Sequence, residues 1–120
     1  MELTGSFPAV VNDLAASDRA RSAFAALLGA DRVFDPGVVT GSEDVGLLGL
    51  AAEAPCVFWL LGGGDPHDFA EAHSAEEILE VMGSVPSNHS ALYAPVPRPT
   101  IDIGVAALVT ATRDWLRAPL

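Results

Sequence analysis

The chain is poor in cysteine, in basic residues and in long hydrophobic runs, and each shortage excludes a class of protein. Cys56 is its single cysteine, which excludes an internal disulfide and a thiolate metal cluster. Six lysines and arginines against 16 acidic residues give a net charge of −10, which argues against binding to nucleic acid or to an anionic membrane surface. No apolar run approaches the roughly 20 residues of a membrane span, and the N-terminus lacks the features of a secretory signal. We therefore expect a cytoplasmic protein.

What remains is the composition of one folded domain. Half of the 120 residues are hydrophobic and 18% are charged, which is typical of a globular rather than a disordered chain. The mean hydropathy of +0.35 is high for so short a chain. It indicates that apolar patches remain on the surface after folding.

Capping residues and apolar periodicity predict four helical stretches. The first begins at Asn12 and ends at Gly29, and the second begins at Ser42 and stops before Pro55. The third, residues 67–83, is acidic and permissive for helix, and the fourth is residues 100–116. Two apolar stripes are expected to face the core: Leu14, Phe24, Leu27 and Leu28 in the first helix, and Val105, Leu108, Val109 and Leu116 in the last.

Two further stretches favour strands. Asp31–Asp35 is a short candidate that ends at the turn pair Pro36–Gly37, and 38–40 continues it in extended form. Cys56–Leu61 is apolar without alternation, as in strands buried on both faces of a sheet covered by helices. The order of elements predicts an α/β fold, a partial helix–sheet–helix sandwich. Because two or three strands make a thin sheet, we expect Cys56–Leu61 to lie at the centre of a larger one.

His89 is the most promising site residue because of its setting. It lies in a proline-rich stretch, residues 84–100, between Pro86 and Pro95 and among short polar neighbours. A stiff loop that fixes an imidazole suits a metal ligand or an acid–base group. A loop histidine without a task is the alternative.

Two weaker candidates have simpler readings. His67, Glu71 and His73 have a spacing that a helix turns into a weak mononuclear metal site, but a solvated acidic face explains them better. The Gly41–Ser42 turn at the start of a helix presents backbone N–H groups to a carboxylate or an oxyanion. Alternatively, Ser42 is an ordinary N-cap without a binding role.

Three stretches, in order, are VVTGSEDVGLL, APCVFWLLGGGDP and VPSNHSALYAPV. Together they resemble the C-terminal part of the zinc-dependent aminoacylase/carboxypeptidase family, in the amidohydrolase branch that includes hippurate and indole-acetyl-amino-acid hydrolases. The resemblance runs from about Phe7 to Leu116. It implies that residues 1–120 form the C-terminal segment of a di-metal exopeptidase-like catalytic domain without its lid domain, and that residues 1–11 return from the missing lid.

The resemblance also implies a function. Members of the family hydrolyse amide bonds of N-acyl amino acids or similar small amides, and two divalent metal ions, zinc or manganese, activate a water. By the resemblance, His89 is a metal ligand, and Gly41 and Ser42 lie beside the substrate. Glu43 and Asp44 would orient metal ligands through hydrogen bonds rather than bind the metals.

Two readings of the whole chain follow. The family's other metal ligands and its general-base glutamate have no counterpart here, so we expect the chain alone to be inactive. A truncated reading frame, a split gene or a domain fragment would explain this, and a complementary N-terminal half would complete the site. The alternative is a non-catalytic α/β interaction module that forms a homodimer or docks on a partner chain through its apolar surface.

Overall fold

The computed structural model describes residues 9–39, 41 and 43–117. These form α1 (Leu14–Leu28), α2 (Val45–Ala52), α3 (Ala75–Ser84) and α4 (Pro97–Arg117), with 3-10 turns at Ala30–Arg32 and Pro66–Phe69. Over the described ranges 57% of the residues are helical and none is in a strand, so the predicted α/β sandwich is wrong. Most of the predicted return from a lid, residues 1–11, lies outside the described residues.

The first predicted strand is replaced by a turn. Gly29 ends α1 with a φ of 100°, and Ala30–Arg32 follows at once as a 3-10 turn. Asp35 then accepts a hydrogen bond from the N–H of Gly37 at 2.9 Å, which bends the chain again. Asp31–Asp35 therefore has no straight run in which to form a strand, and Val38 and Val39 lie in no regular element. Thr40 is outside the described residues.

The second predicted strand, Cys56–Leu61, is called the apolar segment below. It lies in no helix, and within the described part of the chain its backbone hydrogen bonds go to the residues just before α1. The N–H of Asp13 donates to the carbonyl of Cys56 at 2.9 Å, and the Asn12 side chain bonds Phe58. No strand lies beside it in the described part of the chain. The segment therefore forms no ladder of hydrogen bonds between strands.

Side chains of the apolar segment alternate between two layers of helices. Val57 packs against the core between α1 and α4, and the Trp59 ring meets that of Phe24 edge to face at 5.2 Å. On the opposite side Cys56 lies against Gly49 of α2. This alternation is that of an extended backbone. Helices therefore lie on both faces of the apolar segment, as the sequence predicts. They cover it only in part, because Trp59 and Leu60 are partly exposed.

Helix α1 forms almost as predicted. Asp13, rather than Asn12, is its N-cap, and the Asp13 carboxylate accepts a hydrogen bond from the N–H of Ala16 at 2.8 Å. Gly29 ends the helix as expected. The one-residue shift frees Asn12 to bond Phe58 instead.

The core between α1 and α4 is small. Ala20, Phe24 and Ala107 are the buried hydrophobic residues of the described chain, with Val33, Val57 and Ala111 packed around them. The alanines leave room for the two helices to approach each other. The predicted stripe on α4 instead faces outward: Val105, Leu108, Val109 and Leu116 are all exposed. Leu14 and Leu27 of α1 are also exposed.

The two shorter helices start later than predicted. Helix α2 follows Asp44 and ends at Glu53, whose φ of 50° is left-handed. The third predicted helix, residues 67–83, divides because Ser74 caps a new helix, α3, through its side chain and Glu77. Its predicted first part is the 3-10 turn Pro66–Phe69.

The surface is large for the mass. The chain exposes 9573 Å², whereas a folded monomer of 12.4 kDa exposes about 6,100 Å². The surface exceeds this value by about 3,400 Å², and 22 large hydrophobic side chains of the described residues are exposed. Among the described helices, none combines the length and apolarity needed to cross a bilayer.

Candidate functional site

His89 lies in two consecutive turns that hydrogen bonds fix. The N–H of Ser90 donates to the carbonyl of Ser87 at 2.8 Å, so His89 is a central residue of the first turn. The N–H of Tyr93 then donates to the carbonyl of Ser90 at 3.1 Å and forms the second. The Ser90 hydroxyl also accepts from the N–H of Leu92 at 3.1 Å. The His89 residue is exposed, so its imidazole is held at the surface by a turn rather than buried.

The loop that carries His89 is joined to the end of the apolar segment. The N–H of Val96 donates to the carbonyl of Gly63 at 3.0 Å. A Cβ added at Gly63 would lie 3.0 Å from the Tyr93 hydroxyl and 3.3 Å from Pro95, so the loop packs closely on this glycine. A side chain at position 63 would displace the loop. Gly63 therefore permits the close contact that anchors the loop carrying His89.

The other predicted site residues lie before α2. Glu43 and Asp44 are exposed, and Asp44 is the N-terminal flanking residue of α2 without a side-chain capping bond. Gly41 is also exposed, with open space where a Cβ would lie. Ser42 is outside the described residues. No hydrogen bond or ion pair of the described residues joins Glu43 or Asp44 to the His89 loop.

The described residues alone do not fit a metal centre. Among them, no group of three or more His, Cys, Asp and Glu side chains is placed to hold an ion. The weak site predicted at His67, Glu71 and His73 is therefore not formed. The N–H of His67 donates to Asp65 at 2.9 Å and that of His73 to Glu77 at 2.6 Å, so both residues take part in capping through their backbones.

Two grooves on the described surface differ in charge. One of about 460 Å³ beside α3 is acidic, and its lining includes Asp68, Glu71, Glu77 and Glu80. The other, of about 480 Å³, is apolar and lies between α1, α4 and the first half of the apolar segment. Trp59 and Trp115 line it together with small residues, and we call it the tryptophan groove. Neither groove reaches His89.

One residue that holds the apolar segment in place is not indicated by the sequence. Asn12 was predicted to cap α1, but its carboxamide bonds the backbone of Phe58, 46 residues away. No local pattern signals such a bond, because an asparagine before a helix looks like a cap whichever partner it takes.

Chemically, the arrangement offers one exposed imidazole on a fixed loop. Among the described residues, no hydrogen bond or ion pair joins a second side chain to the His89 imidazole.

No protein-family model matches the chain, and no solved structure matches it with statistical significance.

Proposed function

We propose that the chain supplies the C-terminal part of a metal-dependent amidohydrolase that hydrolyses amide bonds of N-acyl amino acids or similar small amides. In this proposal the chain is inactive alone, and further polypeptide brings the general base and most of the metal ligands. The observation that carries the proposal is the contact between the His89 loop and Gly63. It joins two of the three stretches on which the family resemblance rests.

This contact gives His89 the properties that a metal ligand needs. Two turns restrict the backbone around it, and the Val96–Gly63 hydrogen bond anchors the end of the loop. The imidazole remains open to ligands from outside the chain. Because an error of about 1 Å in such a ligand weakens a site, an anchored loop suits this role better than a free one.

The charge distribution supports a cation in this region. Residues 33–97 contain ten acidic side chains and neither lysine nor arginine. An acidic surrounding favours the retention of divalent cations over anions. Because the described residues alone do not form a metal site, the catalytic step in this proposal requires the further polypeptide.

The test is complementation. The purified chain is mixed with the N-terminal half of an amidohydrolase of the hippurate hydrolase branch, and hydrolysis of N-acetyl and N-benzoyl amino acids is followed with Zn²⁺ or Mn²⁺. We expect no turnover by the chain alone, turnover by the mixture, and loss of that turnover in His89→Ala. His67→Ala is the matched control and keeps it. Turnover that is unchanged in His89→Ala would remove the metal-ligand role.

A non-catalytic interaction module is the second candidate, and the exposed apolar surface favours it. The exposed large hydrophobic side chains of the described residues are the kind of surface that obligate protein partners bury. A chain that stays monomeric at high concentration, as measured by light scattering, would argue against this function.

A further inference from the structure

We infer that the 120-residue chain forms a closed homodimer in which the apolar segments of two copies pair in antiparallel fashion, along the edge that carries the backbone groups of Val57, Trp59 and Leu61. The inference goes beyond the proposed hydrolysis and does not depend on it.

One edge of the apolar segment is already occupied. Backbone N–H and C=O groups of alternate residues in an extended chain point to the same side. On the side of Cys56 and Phe58, the carbonyl of Cys56 accepts from Asp13, and both backbone groups of Phe58 are bonded by Asn12. Another strand therefore cannot pair there without breaking these bonds.

The opposite edge has no partner among the described residues, and we call it the open edge. Among the described residues, no hydrogen bond involves the backbone of Val57, Trp59 or Leu61. Beyond Leu61 the edge ends, since the carbonyl of Gly63 accepts from Val96. Three residues thus present a short row of donors and acceptors, which is a template for pairing with another strand.

The open edge is short, but it lacks other features that protect free edges. Natural free edges carry charges, prolines or bulges that prevent pairing. Cys56–Leu61 contains no charge and no proline, and it is apolar throughout. The tryptophan groove beside it is lined without charged residues too. Both features fit an edge that is covered in the functional state.

A second copy is the occupant that fits best. Antiparallel pairing centred on Trp59 places Val57 of one copy opposite Leu61 of the other and satisfies the groups of both edges with about six hydrogen bonds. Because Asn12 and Asp13 close the other edge, pairing stops at two copies instead of growing into a fibre. The acidic groups concentrated in residues 65–80 lie outside the paired segment.

The first experiment measures the mass of the unmodified chain by sedimentation equilibrium between about 0.1 and about 100 µM, a range that brackets a Kd of about 1 µM. We expect a dimer that dissociates on dilution. A monomer at every concentration would overturn the inference, and so would a growing polymer.

Matched variants then locate the interface. Leu61→Pro removes an N–H from the open edge, and Leu60→Pro removes one from the other edge, where that amide has no partner among the described residues. We expect about a tenfold weaker dimer for Leu61→Pro and little change for Leu60→Pro. Equal effects of the two prolines would place the dimer contact elsewhere.

Amide hydrogen exchange gives an answer even if a proline variant does not fold. In the unmodified dimer the amides of Val57, Trp59 and Leu61 exchange slowly and become faster on dilution, while the Leu60 amide does not respond. Exchange at the three amides that is independent of concentration would overturn the inference. Neither experiment reads hydrolysis, so failure of the dimer is distinct from failure of the proposed hydrolysis.

Discussion

The carboxamide of Asn12 bonds both backbone groups of Phe58: its nitrogen donates to the carbonyl at 2.8 Å, and its oxygen accepts from the N–H at 2.7 Å. The side chain thus takes the place that a neighbouring strand would have. With the bond from Asp13 to Cys56, it holds the apolar segment against the start of α1.

Removing this carboxamide should destabilise the fold. Asn12→Ala loses two hydrogen bonds near the surface, where water replaces part of their energy, so we expect a loss of about 1–2 kcal/mol in the free energy of unfolding. Urea unfolding measures it. Asn12→Asp keeps the acceptor but not the donor and should fall between Asn12→Ala and the unmodified protein. An unchanged midpoint for Asn12→Ala would mean that the bonds are not formed in solution.

Two glycines should respond oppositely to alanine. A Cβ at Gly49 would lie 2.8 Å from the Cβ of Cys56, so Gly49→Ala must push α2 away from the apolar segment. We expect it to cost about 1–3 kcal/mol of stability. Gly83 in α3 has open space around its Cβ position, and Gly83→Ala should stabilise by up to about 1 kcal/mol through helix propensity. Thermal melts of the two variants should shift in opposite directions.

Arg19 should couple α1 to α4. Its guanidinium bonds both the carboxylate and the backbone carbonyl of Asp114, and it lies 4.3 Å from the ring centre of Trp115. Because both charged side chains are more than one-third exposed, we expect a coupling of only about 0.5–1 kcal/mol. A double-mutant cycle of Arg19→Ala and Asp114→Ala measures it. Arg19→Lys should lose most of it, since an ammonium cannot form both bonds, and 1 M NaCl should reduce it.

The capping box of α3 should be sensitive to single substitutions. The Ser74 hydroxyl accepts from the N–H of Glu77 at 3.2 Å, and the Glu77 carboxylate accepts from that of Ser74 at 3.1 Å. Ser74→Ala should cost about 1 kcal/mol, measured by urea unfolding. Glu76→Ala is the matched control in the same turn, because Glu76 makes no capping bond. Equal losses in both variants would point to helix charge rather than to the cap.

The sequence predicts α1 and α4 well because their signals are local. Caps and glycines place α1 within one residue, and the apolar pattern places α4. Prediction from the sequence fails for the apolar segment, because a strand forms only beside another strand to which it can hydrogen-bond. Val57 and Trp59 have the composition of a buried strand, yet the described chain offers Phe58 only the side chain of Asn12.

The candidate site was predictable only in part. Prolines and polar neighbours singled out His89, and the structure adds the turns and the anchor at Gly63 that hold its loop. The prediction that the apolar stripe of α4 faces the core was wrong, because periodicity identifies an apolar face but not what covers it. Ala107 is buried in the core with α1, whereas Leu108 is exposed.

The thin shape of the molecule affects how its mass is read in solution. The Cα atoms span 49 × 42 × 24 Å with a radius of gyration of 16.2 Å, whereas a compact chain of 120 residues has about 13.6 Å. A plate of this kind experiences more friction than a sphere of equal mass. On a column calibrated with globular standards, even a monomer would elute early and resemble a heavier species, so elution volume alone cannot distinguish one copy from two.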